Sequence, residues 1–279
     1  MAHEAKAGGP WAAVRDGLVR TAFVLALAIP VYFAYAALGS RFGLHDWRFG
    51  LGTLIRDFGP MLLMAGMGLG FLALGLAILV TPRRGVVAAI VAALIPTAGL
   101  GYGAYAARQG QAIPPIHDVT TDRADPPIYS FRVFGERGEE ANSLDLTNKR
   151  IPATWSNPAF ADRLSLEVQA EHYPDIVPLP TGLPADQAFA IALEAARAQG
   201  WAIGDTLAPT PEQEGRIEAT ETSFWFGFVD DIIVRVRATP EGSVIDVRST
   251  SRVGLSDLGA NAKRIRAFSA AVLERLSTD

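Results

Sequence analysis

The chain has 279 residues, 49% hydrophobic and 19% charged, with a formal net charge of −4 and no cysteine. The missing cysteines exclude disulfides, thiolate catalysis and Cys-ligated zinc or iron–sulfur centres, while leaving the redox compartment open. Residues 1–106 carry eight basic and four acidic side chains, net +4, and residues 107–279 carry 17 and 25, net −8; this skew excludes a wholly soluble enzyme and a nucleic-acid binder relying on general positive charge.

The first 107 residues read as a membrane region. Three uncharged apolar runs occupy residues 21–40, 58–82 and 85–107. Each is long enough, at ~1.5 Å per helical residue, to cross a hydrocarbon core of ~30 Å. Three transmembrane helices over about 21–40, 58–80 and 86–106 are expected. Five basic residues (Lys6, Arg15, Arg20, Arg83 and Arg84) fall on one side of these spans and four (Arg41, Arg48, Arg56 and Arg108) on the other. The excess places the N-terminus in the cytoplasm and the C-terminal domain in the periplasm of a bacterial inner membrane protein. The first run also has the small residues of a signal-peptide cleavage site near Ala34 and Ala36, but its length favours a retained anchor.

Gly66 and Gly70, and Gly99 and Gly103, have the four-residue spacing that lets membrane helices approach closely. Pro30 and Pro96 are kink positions. No ionisable side chain lies within the spans, which argues for packing rather than a transport path. The Gly-dense strings around Gly68 and Gly101 lack the strand–turn–helix setting of a phosphate loop.

Residues 108–180 are Pro-rich and polar, and read as an extended stalk that wraps the following domain, with 137–150 as its loop. Residues 181–279 carry regular patterns. A helix is expected over 185–199, with Phe189, Ala192, Leu193 and Ala196 on one face and Gly200 at its stop. Strands follow from Trp201 and over 215–223, 228–238 and 243–252, with a hairpin turn at Glu241-Gly242. A closing helix begins near Ser256 or Asp257, either able to cap it. The expected fold is an all-α membrane region of three helices followed by an α+β domain, an antiparallel sheet with helices on one face.

Alternation sorts the strand side chains. Asp231, Ile233, Arg235 and Arg237 share one face of their strand, and Val244, Asp246, Arg248, Thr250 and Arg252 one face of the next. Arg216, Glu218, Thr220 and Thr222 alternate with Ile217 and Ala219. Two readings follow: cross-strand ion pairs on a solvated face, or an anion site built from guanidinium forks. In the second, Arg235, Arg237, Arg248 and Arg252 converge on one oxyanion, held by Asp231 and Asp246, with Asn261, Lys263 and Arg264 at the rim. The ligand would be an anionic small molecule or lipid headgroup; an envelope or membrane protein is the other partner considered.

The stretch 224–237, FWFGFVDDIIVRVR, resembles the signature of a bacterial and plastid family labelled domain of unknown function 1499. So do 245–266, IDVRSTSRVGLSDLGANAKRIR, and the opening His117-Asp-Val-Thr-Thr-Asp122. The resemblance covers about 117–277. It implies a membrane-tethered or exported α+β domain and supplies no catalytic residues.

No cofactor or metal is expected, since only His117 and His172 lie in the C-terminal half. The segment 254–259 nearly imitates a nucleophile elbow around Ser256, but is one residue too long. A hydrolase using Ser256 is the alternative to a non-catalytic binding module, and would need a histidine or lysine near that hydroxyl. Asp230 and Asp231 face opposite ways and cannot act as a pair. The run Phe224, Trp225, Phe226 and Phe228 reads as core or a ligand platform, bent at Gly227.

Overall fold

The computed structural model describes residues 9–277, so Glu4 and Lys6 of the N-terminal flank lie outside the described residues. The chain divides into two compact units, one formed by residues 1–109 with 224–227, the other by 110–223 with 228–279.

In the first unit, α1 (Pro10–Arg41) contains Pro30 and α3 (Val86–Ala112) contains Pro96. Between them a π-helical stretch, Arg48–Phe58, runs directly into α2 (Gly59–Leu79). The second helix thus begins ten residues before the expected start: Arg48, Arg56 and Asp57 interrupt the apolar run but not the backbone. Three helical segments, Pro10–Arg41, Arg48–Leu79 and Val86–Ala112, are long and apolar enough to cross a bilayer. This is a membrane protein.

The glycine spacing has a structural counterpart in α2. A Cβ on Gly70 would lie 2.6 Å from Ala92 O and Ala93 Cα of α3, and one on Gly66 2.9 Å from Ile29 Cδ1 of α1. Gly99 would meet Leu63 Cδ2 at 2.7 Å, whereas Gly103 meets nothing within 4 Å. Arg15, 1% exposed, donates to Val80 O at 3.1 Å and to Pro82 O. It thereby satisfies the C-cap carbonyl of α2 and a second carbonyl in the turn beyond it, and also pairs with Asp16 at 2.8 Å.

The second unit is built on one antiparallel sheet. Its strands are β1 (Asp118–Thr120), β2 (Leu179–Thr181), β3 (Ala202–Leu207), β4 (Gly215–Thr222), β5 (Val229–Thr239) and β6 (Gly242–Ser251). The order is β1-β6-β5-β4-β3, with β2 also paired to β6. At the β5–β6 turn Gly242 has φ +140° and no room for a Cβ, which would strike Thr181 O and come within 2.8 Å of Gly182 Cα. The outer edge of β1 is closed by Gln169 of α5 (Ser165–His172): its amide accepts from Thr120 N at 3.2 Å and donates to Thr120 O at 2.7 Å.

Helices α6 (Ala185–Ala198) and α7 (Ala260–Leu276) cover one face of the sheet. There Ile217, Ala219, Ile232, Val234, Val236, Ile245 and Val247 pack with Ala192, Ala195, Ile265 and Phe268 in the main core. The Pro-rich segment joins this domain as a built part of it: Ile116, Val119, Ile151, Phe160, Val168 and Ile176 enter the same core. Its apolar residues follow no helical or strand period, because most of the segment is irregular backbone anchored one side chain at a time.

Replacing Gly70 by Ala forces a Cβ into the α3 backbone, whereas Gly103→Ala meets open space. We expect Gly70→Ala to lower the melting temperature of the detergent-solubilised protein despite alanine's ~1 kcal/mol better helix propensity, and Gly103→Ala to leave it unchanged or raised.

Candidate functional site

The register places the arginines as the alternation requires. Arg235 lies opposite Asp246, Ile233 opposite Arg248, and Asp231 opposite both Thr250 and Thr220. This face is not open to water. Residues 121–150, including the short helix α4 (Phe131–Glu136), lie across it, and Asp231, Glu218, Asp246 and Arg248 are at most 4% exposed. A buried charge needs a partner of opposite charge, and each has at least one.

The four strand arginines do not share one acceptor. Arg235 and Arg237 both donate to Asp246 Oδ2, at 3.0–3.2 Å and 2.8–3.1 Å. Asp122 Oδ2 receives them too, at 3.3 and 3.0 Å, and Asp125 receives Arg235 at 2.9 Å. Arg248 makes a two-pronged pair with Asp118 at 2.9 and 2.8 Å, donates to Pro127 O and Leu144 O, and lies 5.2 Å from the centre of the Tyr129 ring. Arg252 grips Asp231 at 2.7–3.2 Å, and Arg137, 94 positions distant in sequence, takes the same carboxylate. Glu218 is held by the Ser130 N–H at 2.6 Å and its hydroxyl at 2.7 Å. Tyr129 donates to Asp231 O at 2.9 Å, and its burial raises the phenol pKa far beyond the physiological range.

Asn261 and Arg264 lie on the other face, beneath α7. Ser249 and Ser251 point there, opposite in parity to Arg248 and Arg252. Asn261 accepts from Ser249 Oγ at 2.7 Å and donates to His117 O at 3.1 Å and Ser251 Oγ at 3.0 Å. Arg264 pairs with Asp230 at 2.6 Å and with Glu221, and donates to Ser249 Oγ at 2.9 Å. The rim expected from these residues therefore belongs to a separate, closed polar network. Lys263 is exposed on α7.

Helix α7 begins at Ala260, not at 256 or 257, after Leu258 and Gly259 both take positive φ. Asp257 accepts from Gly259 N at 2.7 Å and Asn261 N at 2.9 Å, so its carboxylate serves the first turn. Burial raises its pKa to about 6 against the pull of those N–H groups. Ser256 Oγ accepts from Leu258 N at 3.2 Å. Among the described residues, no histidine or lysine hydrogen-bonds that hydroxyl. His117 is bonded through Nδ1 to Leu255 O at 3.3 Å. Its ring is buried beside the Lys149 charge, which lowers its pKa to about 4 and keeps it neutral. No group of three or more metal-capable side chains occurs among the described residues.

The residues missed by the sequence reading as partners of the arginines are Asp118 of β1 and, in the covering segment, Asp122, Asp125, Tyr129 and Arg137. The signals for them were the acidic excess of the C-terminal half and, for Asp118 and Asp122, the family-like opening 117–122; nothing pointed to Tyr129 or Arg137. A family described as a protein of unknown function (DUF1499) matches residues 118–272, more than half of the chain. The chain belongs to this family. The matched span starts at Asp118, the partner of Arg248, and takes in both strands of the arginine face. Comparison with curated proteins and with solved structures gave no match.

Arg248→Met strands the Asp118 carboxylate in the interior and should destabilise the protein by ~3–5 kcal/mol. Arg237→Met, at a side chain 31% exposed whose carboxylates keep Arg235, should cost ~1 kcal/mol or less. Urea or thermal unfolding of the two variants measures the contrast. A His117 that resists protonation in the folded state, but not in the unfolded one, withdraws stability as pH falls from 6.5 toward 4. The melting temperature of wild type should therefore drop toward that of His117→Asn over this range, with Asp257, common to both, cancelling from the difference.

Proposed function

We propose that the protein is a non-catalytic module of the bacterial envelope. Three spans anchor it in the inner membrane with the N-terminus in the cytoplasm, and its α+β domain, in the periplasm, binds an anion. The anion is a small carboxylate or phosphate, or the equivalent group of a lipid head.

The observation that carries this reading is the outer end of the arginine face. Asp125 is 64% exposed, yet it receives Arg235 Nη1 at 2.9 Å and lies 4.0 Å from Arg237 Nη1. It belongs to the covering segment, not to the sheet. A carboxylate of the chain's own thus occupies a two-guanidinium fork at the solvent boundary, the geometry that recognises carboxylate and phosphate. An incoming anion can take that place while the displaced Asp125 returns to water. Catalysis is disfavoured by Ser256, whose hydroxyl has no base, and by the neutral, inward-turned His117.

Melting curves of the full chain in neutral phosphatidylcholine nanodiscs test the site, with pyrophosphate and citrate as probes. Both should raise the melting temperature of wild type, more so in Asp125→Asn, which removes the competing carboxylate, and not in Arg237→Met. Including phosphatidylglycerol in the disc tests the headgroup source. Failure of every anion to shift wild type or Asp125→Asn would make the face a structural lattice and leave a protein partner as the binding role. For the orientation, a reporter active only in the cytoplasm, fused after Asp279, should stay silent.

A further inference from the structure

We propose that the turn between β4 and β5 is a membrane-interface contact, placing Phe224 and Trp225 among the headgroups and upper acyl chains of the bilayer that the chain itself spans.

Residues 224–227 belong to the same compact unit as the three helices. The turn is built to push side chains outward. Ser223 N donates to Phe228 O at 2.8 Å, Phe228 N donates to Ser223 Oγ at 2.9 Å, and Gly227 takes φ +70° to complete the reversal. Phe224 and Trp225 are left 66% and 55% exposed, their rings edge to face with centroids 5.2 Å apart. Two adjacent exposed aromatics at a hairpin tip contribute nothing to the core, so their apolar area is available to another phase.

The depth of the turn is fixed by its neighbours. The Arg41 guanidinium lies over the Phe224 ring, 5.6 Å from its centre, and Ser40 Oγ donates to Phe226 O at 3.4 Å. Ser40 ends the uncharged run of the first span, and Arg41 is the last residue of α1. That is the level at which a spanning helix leaves the hydrocarbon and its basic side chain reaches for phosphate. The connection after α1 carries exposed Phe42 and Leu44, at 70% and 69%, and the start of the π-helical stretch carries Phe49, at 46%. Together with the turn they make an aromatic belt at one end of the membrane unit, where Trp and other amphipathic rings are favoured. The connectivity agrees: α2 returns across the bilayer and α3 crosses it again, so everything after α3 emerges on the side of Arg41.

This inference rests on the membrane reading of the helices and not on the anion site, so either can fail alone. The test uses the full chain in phosphatidylcholine nanodiscs and compares wild type with Trp225→Phe. The emission lost in the variant should be blue-shifted, and should be quenched by lipids brominated near the top of the acyl chain far more than by iodide. Emission quenched by iodide but not by brominated lipid, or shielded from both, would overturn the proposal. Because the chain has no cysteine, Phe224→Cys gives a single spin-labelling site as an independent measurement. Its label should be relaxed more by oxygen than by a water-soluble nickel complex, and the reverse order would also overturn the proposal.

Discussion

Arg248 projects from β6 into a space closed to water, where the Asp118 carboxylate balances its charge and the Pro127 and Leu144 carbonyls take its remaining protons. The same condition repeats along the face: Asp231 between Arg252 and Arg137, Glu218 against Ser130, Asp246 under Arg235 and Arg237. In each of the first two the sheet supplies one group and the covering segment another, 88 or more positions away in sequence. Because an unpaired ion here would be heavily penalised, the segment from Asp118 to Arg150 has one way to lie on the sheet. Pairs of this kind return little net stability, since desolvation consumes most of the Coulomb gain. Their effect is to fix where irregular backbone goes.

The membrane unit solves a different problem by different means. Lipid offers no hydrophobic drive between helices, so contact depends on close approach, and the backbone contacts at Gly70 supply it. Its buried ion, Arg15, pairs with its sequence neighbour Asp16 and spans to backbone carbonyls just past α2, not to a distant carboxylate. One chain thus uses small residues where the solvent is apolar and charged pairs where it is water.

The legible part of the fold was whatever repeats. Uncharged length identified the spans, and the alternation of β5 and β6 assigned each strand residue to the face it occupies, down to the separation of Asp230 from Asp231. Four features were out of reach. Residues 108–180 carry no period, so prolines were visible but the one-at-a-time anchors Ile116, Val119 and Phe160 were not. The partners of the arginines lie far away in sequence, and neither spacing nor charge pattern joins Asp118 to position 248. Asn261 and Arg264 were grouped with the strand arginines because they follow them closely, but a helix crossing the opposite face inherits the parity of Ser249 and Ser251. The aromatic run 224–228 looked like core by composition, whereas Gly227 turns it outward at a hairpin tip.

The two polar networks of the domain differ in what they permit. Beneath α7, Asn261 has both amide protons donated and its oxygen occupied, and it is fully buried. Nothing can enter there without breaking bonds that water is not present to replace. On the arginine face the inner pairs at Arg248 and Asp231 are closed in the same way: displacing Asp118 would leave a bare carboxylate in the interior, at a cost of several kcal/mol per ion. At the outer end the balance is different. Under the proposed anion binding, Asp125, 64% exposed, would give up its guanidinium but regain hydration, and Arg237 already shares its charge with solvent. In the proposed exchange one solvated carboxylate would replace another, at small net cost, with selectivity set by shape and charge. Entry under that proposal is therefore at Arg235 and Arg237, while Arg248 and Arg252, paired with Asp118 and Asp231, stay closed.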